Sequence, residues 1–207
     1  MLAYNSKSPG IIKSIQQRSL FELWNRLRAG SKIAPWSALD ASDLASYFES
    51  LNFIKVEGIG GYLRFRMLAR GKSISQMFGE KCSLKYIDRM LPPQGKADIL
   101  ESYCQVVWKK LPVYTSSTTS DGNGVSVYYE RLLLPFSTKA DQVTHIIGSF
   151  EPISPSGAFD RNKLLSVKIA DAFTVKAVIK PHTYKVTAAL ESAAGSCERK
   201  HSKTQFG

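Results

Sequence analysis

The first strong pattern of apolar and polar positions lies in residues 11–29, where apolar side chains recur at steps of three and four. This spacing places them on one face of a helix, and the following Gly30 is a natural helix stop. The apolar positions are Ile11, Ile15, Leu20, Leu23, Trp24 and Leu27. The pattern predicts an N-terminal amphipathic helix whose apolar face has to be covered.

After residue 50 the pattern changes to short apolar runs and alternation, which are typical of strands. Five segments fit, at residues 51–56, 62–68, 113–120, 125–136 and 144–152. Glycine-rich connections at 57–61 and 121–124 predict hairpins between the first two strands and between the third and fourth. The second strand alternates most clearly, because Phe65 and Met67 share one face while Arg64 and Arg66 share the other.

Helical patterns separate the two groups of strands. Short helices are predicted within residues 73–90, interrupted at Gly79, and a longer helix from the Pro92–Pro93 pair to about Lys110. The order of helix, two strands, helices and three strands predicts an α+β fold with a five-stranded antiparallel sheet flanked by short helices. We expect a helical extension at 1–48, a sheet domain at 49–152 and a basic, partly disordered appendage at 153–207.

Composition narrows the class of protein. The chain has 207 residues, a net charge of +11 and 43% hydrophobic residues, so it is neither disordered nor fibrous. Its three cysteines are scattered without metal-binding spacing, which fits a reducing compartment. We find no signal peptide and no apolar run of the length that a membrane span needs, so we expect a cytoplasmic protein.

Three motifs along the chain have a recognisable order and spacing. A Trp-containing helix ends at a glycine before a proline, here Trp24, Gly30 and Pro35. An Arg-bearing strand at 64–67 leads to a Phe-Gly turn at 78–79. The most specific piece is the segment YERLLLPF at 129–136, followed by Ile146, Ile147 and Gly148. These motifs resemble the PAS domain family, in particular the single-domain PAS-like proteins of alphaproteobacteria, and the resemblance covers residues 18–152.

The resemblance implies a bacterial sensor or interaction module for signal transduction. Without a fused output domain, we expect it to signal through ligand-dependent or constitutive protein–protein contacts, with a homodimer or another protein as partner. The two departures from the family pattern are Ala69-Arg70-Gly71 after the Arg-bearing strand and Cys82-Ser83 after the Phe-Gly turn. We therefore expect the helical face of the pocket to differ from that of the family.

Candidate chemistry is sparse. No hydrolase, metalloprotease or nucleotide-binding motif occurs, so we expect no catalytic residue, no metal site and no enzyme. Cys82 and Cys104 lack the sequence setting of a flavin photosensor, and His145 lies on a predicted strand rather than where a haem ligand is expected. The default expectation is therefore that no cofactor is bound.

Two groups of residues are candidates for binding. In PAS domains the cavity lies between the inner face of the sheet and the helices, which makes Phe65, Met67, Tyr103 and Arg131 the pocket candidates. An inward arginine would attract a carboxylate or phosphate, but Arg131 pointing outward or pairing with Glu130, Glu101 or Asp98 is the alternative. The interface candidates are Ile15, Leu20, Trp24, Leu27, Arg64 and Arg66, with packing inside one chain as the alternative. On the outer face of the sheet, Arg64 and Arg66 would pair with Glu22 or with a partner's carboxylates.

The net charge keeps a different class open, a basic regulatory protein that binds nucleic acid or a membrane surface. The basic residues are scattered and no helix-turn-helix pattern stands out, so nucleic acid is the weaker alternative. In the appendage, lysines recur within an apolar stretch, which suits an anionic lipid surface as well as an added strand or a docked helix. They are Lys163, Lys168, Lys176, Lys180 and Lys185.

Overall fold

The computed structural model describes residues 3–59, 62–79, 85–91, 93, 95–154, 157–162, 164 and 174–181. Within them the helices are α1 (Ile15–Leu27), α2 (Lys72–Phe78), α3 (Ile87–Met90) and α4 (Lys96–Lys109). The strands are β1 (Asn5–Lys7), β2 (Ala34–Pro35), β3 (Leu51–Ile59), β4 (Tyr62–Arg70), β5 (Val113–Ser120), β6 (Ser126–Ser137), β7 (His145–Ile153) and β8 (Val175–Ile179).

The strands form one sheet in the order β1-β8-β5-β6-β7-β3-β4, with β2 paired to the end of β6. The five predicted strands are present as β3 to β7, and their mutual pairings are antiparallel. The prediction of five strands in all is wrong, because the described part of the chain forms eight. Strand β1 has three residues and pairs in parallel with β8, and β2 has two residues and pairs in parallel with β6. Both are too short for an alternating pattern to predict them from the sequence.

Helix α1 covers one face of the sheet, which we call the outer face. It begins at Ile15 rather than at residue 11, since Ser14 caps it by accepting a hydrogen bond from the Gln17 N–H at 3.2 Å. Trp24 is fully buried and its indole N–H donates to the Pro135 carbonyl at 2.7 Å. The predicted amphipathic helix therefore exists, and its apolar side packs against the outer face.

The other face, the inner face, packs against α4 and the short helices α2 and α3. The buried α4 residues Ile99, Tyr103 and Val106 meet Phe65 and Met67 of β4 in one hydrophobic cluster. Helix α4 begins at Lys96, after Gly95 at φ 73°, and so starts later than the prolines predicted. Helix α1 covers the outer face and α4 with the short helices covers the inner face, which is why most of β6 is buried on both sides.

A β-bulge changes which residues of β4 face inward. Ile54 pairs with Met67 and Phe53 pairs with Ala69, so Leu68 is the extra residue between them. Beyond the bulge, Asn52 pairs with Arg70. An extra residue reverses the alternation of a strand. Arg70, instead of Ala69, therefore shares the inner face with Met67.

Strand β8 extends the sheet beyond β5 with residues from the predicted appendage. It pairs antiparallel with β5 and parallel with β1. The side chain of Lys176 in β8 is only 2% exposed, and its Nζ lies 2.9 Å from Asp98 Oδ1 and 3.6 Å from Glu101 Oε2 of α4. Backbone pairing and a shielded ion pair thus attach this strand both to the sheet and to α4.

Candidate ligand-binding site

A cavity of about 30 Å³ lies between the inner face and helices α2, α3 and α4. By size it has room for about two water molecules. Its apolar walls include Met67, Phe78, Met90, Leu91, Ile99 and Phe150. Its polar lining residues are Asn52, Arg70, Tyr103, Tyr129 and Arg131. Among the described residues that line it, two carry a positive charge and none a negative one.

Arg131 points into this cavity from β6 and is 3% exposed. Its Nε donates to Thr115 Oγ1 at 3.3 Å, and its guanidinium carbon lies 5.8 Å from the ring centre of Tyr103 and 5.9 Å from that of Phe150. Aromatic faces and a hydroxyl thus hold the guanidinium in one orientation. The alternative that Arg131 points outward is wrong.

The carboxylates considered as partners for Arg131 have other contacts. Glu130 is the neighbouring residue on β6 and faces the outer side, where its Oε2 accepts a hydrogen bond from the Ser14 N–H at 3.0 Å. Asp98 and Glu101 pair with Lys176. The alternation of β6 explains this separation, because successive side chains leave a strand on opposite faces.

Arg70 is the functional candidate that the sequence analysis missed. It reaches the cavity from the end of β4, with its guanidinium carbon 4.6 Å from the Phe78 ring centre and its Nη2 3.9 Å from the Met90 sulfur. Strict alternation from Phe65 and Met67 would have placed it on the outer face. The bulge at Leu68 turns it inward, and the family departure at Ala69-Arg70-Gly71 was the one signal in the sequence that pointed to it.

The positive charges of Arg131 and Arg70 both act on the hydroxyl of Tyr103. Complete burial raises the pKa of its hydroxyl, while the positive charges of Arg131 and Arg70 and a hydrogen bond from Arg131 act in the opposite direction. Burial is the largest of these effects, so the phenol stays neutral. Because both arginines act on the same hydroxyl, their positive potential converges on one part of the cavity.

Three of the four predicted pocket residues line the cavity, namely Met67, Tyr103 and Arg131. Phe65 is buried behind them and is not part of the lining, and its ring centre lies 5.2 Å from that of Tyr103. Phe65 therefore supports the wall rather than forming it. That the cavity binds a small molecule stays a prediction.

The predicted interface residues on α1 are mostly used within the chain. Leu20 and Trp24 are buried, and Leu27 packs against the same core on the outer face. A dimer contact made through Leu20 and Trp24 is therefore incompatible with this packing, because the sheet already covers them. Ile15, in contrast, is 75% exposed at the start of α1.

Arg64 and Arg66 pair within the chain with carboxylates other than Glu22. Arg64 Nη2 lies 3.0 Å from Asp88 Oδ2, and its guanidinium carbon stacks 3.6 Å above the ring centre of Tyr86. Arg66 Nη2 lies 2.9 Å from Glu57 Oε1. Both pairs are partly exposed, so they contribute little stability. The first pair joins α3 to β4, and the second joins β3 to β4.

Two of the residues considered for cofactors, Cys104 and His145, lie in the described part of the chain. Cys104 is half-buried, and burial raises the pKa of its thiol, which disfavours the reactive thiolate. The His145 ring stacks on Trp36 with centres 4.4 Å apart.

Lys176 is buried against α4, so it is not part of a surface for anionic lipids. Outside the described residues lie Cys82, Lys163, Lys168 and Lys185.

These features define an α+β module that packs one face of its sheet with a helix and keeps a small charged cavity on the other. The family model described as PAS domain matches residues 12–151, which is more than half of the 207 residues. The chain belongs to the PAS domain family. No curated protein matches it. Among the described residues, no helix is long and apolar enough to cross a membrane.

Proposed function

We propose that this PAS domain is a sensor and interaction module that takes up a small molecule in the inner-face cavity and responds by changing its protein contacts at β8. The proposed role is one of binding, with no chemical step. One observation carries it: helix α4 borders the cavity and also holds the terminal strand. PAS membership supports the general sensor or interaction role, and the contacts of α4 with Lys176 of β8 support the route through α4.

The two sides of α4 are close enough to be moved together. Ile99 and Tyr103 line the cavity, one turn apart. Asp98 and Glu101, interleaved with them on the same turns, bind Lys176 at 2.9 and 3.6 Å. A helix transmits a displacement of one side chain to its neighbours as a nearly rigid body. A ligand that presses on Ile99 or Tyr103 therefore shifts the carboxylates that hold β8.

Strand β8 is suited to respond to such a shift. It is only five residues long, and it lies beyond residues 12–151, the segment matched by the family model. It separates β5 from β1, so its release would leave the β5 edge open. An open strand edge readily pairs with another chain. The partner in this proposal is a second protein or a second copy of this chain.

The test fills the cavity by mutation, so that no ligand has to be known. In Ile99→Phe, a larger side chain pushes α4 away from the sheet, and we expect hydrogen exchange of the β8 amides to accelerate at least about fivefold relative to those of β7. Lys109→Phe places the same ring on the exposed side of α4 and should leave β8 unchanged.

Repeating the test in the Lys176→Met variant shows whether the ion pair of Lys176 transmits the effect of Ile99→Phe to β8. In Lys176→Met, β8 should exchange faster already, and adding Ile99→Phe should change it less than in the wild-type chain. Equal acceleration in β7 and β8 would mean global destabilisation. That result, or no response of β8, would contradict the proposed route.

A further inference from the structure

We propose that the cavity binds a short-chain monocarboxylate, of the size of acetate to butyrate, with its carboxylate between Arg70 and Arg131. This inference rests on the proposed function, since it names the ligand class for the same cavity. The charge of the lining is the first argument. The guanidinium groups of Arg70 and Arg131 both border the cavity, so an anion is the occupant that their charge favours.

The geometry of the donors favours a planar anion with two oxygens. A guanidinium presents parallel N–H groups that match a carboxylate in a two-point contact. Arg131 is fixed by Thr115 and by the aromatic rings of Tyr103 and Phe150, and so presents its fork without first having to be ordered. Preorganised donors lose less entropy when they bind.

The apolar walls and the size distinguish an organic acid from an inorganic anion. The present volume of about 30 Å³ suits the two oxygens of one carboxylate. A short hydrocarbon tail would lie against Met67, Met90 and Leu91. Methionine side chains are unbranched and adapt their shape readily, so a tail of one to three carbons can be admitted by rotating them. Nitrate offers the same planar oxygens without a tail and gains nothing from these walls.

The experiment titrates the full-length protein by calorimetry at constant ionic strength with sodium acetate, propionate, butyrate, nitrate and chloride. We expect butyrate or propionate to bind with a dissociation constant of about 1 mM or below, and at least about tenfold more tightly than nitrate or chloride. Equal binding of all these anions would overturn the inference, because it would show only a general response to the positive charge of the protein.

Variants of single arginines locate the site. Arg70→Met and Arg131→Met should each weaken carboxylate binding at least about tenfold. Arg131→Lys keeps the charge but loses the fork, and should also weaken it. Arg66→Met removes the same charge from the same strand but outside the cavity, and should change binding less than about twofold. If Arg131→Met does not fold, Arg70→Met and Arg131→Lys decide. Equal losses in Arg66→Met and Arg70→Met would refute the site.

The two proposals fail separately. If no carboxylate binds but Ile99→Phe still loosens β8, the ligand class is wrong and the sensor route stands. If a carboxylate binds through Arg70 and Arg131 but β8 responds neither to it nor to Ile99→Phe, the cavity is a binding site and the route through α4 is wrong.

Discussion

The two faces of the sheet are packed in different ways. On the outer face, α1 closes a continuous apolar core around Trp24, and the indole N–H has a carbonyl partner at 2.7 Å. On the inner face, α4 and the short helices leave a cavity that is lined by two arginines. Close packing stabilises a fold, whereas space and buried charge cost stability. The outer face is therefore the structural face, and the inner face is the one to which we assign the proposed ligand.

The largest expected effect tests the structural face. Trp24→Ala removes a fully buried side chain and its hydrogen bond, and should lower the free energy of unfolding by about 3–5 kcal/mol. The measurement is urea denaturation. Ile15→Ala, at a mostly exposed position of the same helix, is the control and should change it by less than about 0.5 kcal/mol. Similar losses in both variants would show that α1 does not close the outer face.

Substituting one polar side chain on each face, Gln17 and Arg70, compares what the two faces contribute to stability. On the outer face, Gln17 is buried, and its Nε2 donates to the carbonyls of Glu130 and Ser149 at 3.2 and 3.1 Å. Gln17→Met should cost about 1–2 kcal/mol of unfolding free energy, because these contacts have no substitute. On the inner face, Arg70→Met should stay within about 1 kcal/mol of wild type or gain stability, since a methionine of similar length fills the same space and removes the repulsion between two positive charges at one cavity.

Denaturation of both variants under the same conditions gives the answer. A large loss in Arg70→Met together with none in Gln17→Met would reverse the assignment, making the inner arginine structural.

The same contrast explains how much of the molecule is predictable from its sequence. Segments whose backbone hydrogen bonds are local in sequence are predicted well: α1 from its three- and four-residue spacing, and the hairpin of β3 and β4 from alternation around a glycine-rich turn. β1 was missed, and for the stretch that contains β8 an added strand was only one of several alternatives, because the two strands pair with each other across most of the chain. Nothing local in either segment specifies that pairing.

The candidate site was predicted in part for a related reason. Met67 and Tyr103 follow from plain alternation and helical spacing. The direction of Arg131 stayed open because residues 129–136 are buried on both faces, so β6 shows no polar and apolar alternation to read. Arg70 was missed because the bulge at Leu68 depends on the register with β3, and register is a tertiary property.

The smallest expected effect concerns pH at the edge of the structural face. Burial, and secondarily the positive charge of Lys55, lowers the pKa of His145 below its ordinary value of 6.5. The unfolded chain then binds the proton more readily than the folded one. This contribution to stability is present above pH 6.5 and is lost as pH falls through the lowered pKa. Because the ring is half-exposed, the effect should amount to a few tenths of a kcal/mol.

The measurement compares the unfolding free energy of wild type and His145→Gln from pH 7.5 to pH 5. The variant should lose less stability on the acid side. Glu151 acts in the opposite direction, because burial raises the pKa of its carboxyl and protonation on acidification then favours the folded state. Its contribution is common to both proteins and cancels in their difference. Parallel pH curves would show that burial of His145 and the charge of Lys55 do not penalise the protonated ring, and the structural face would then be insensitive to pH at this position.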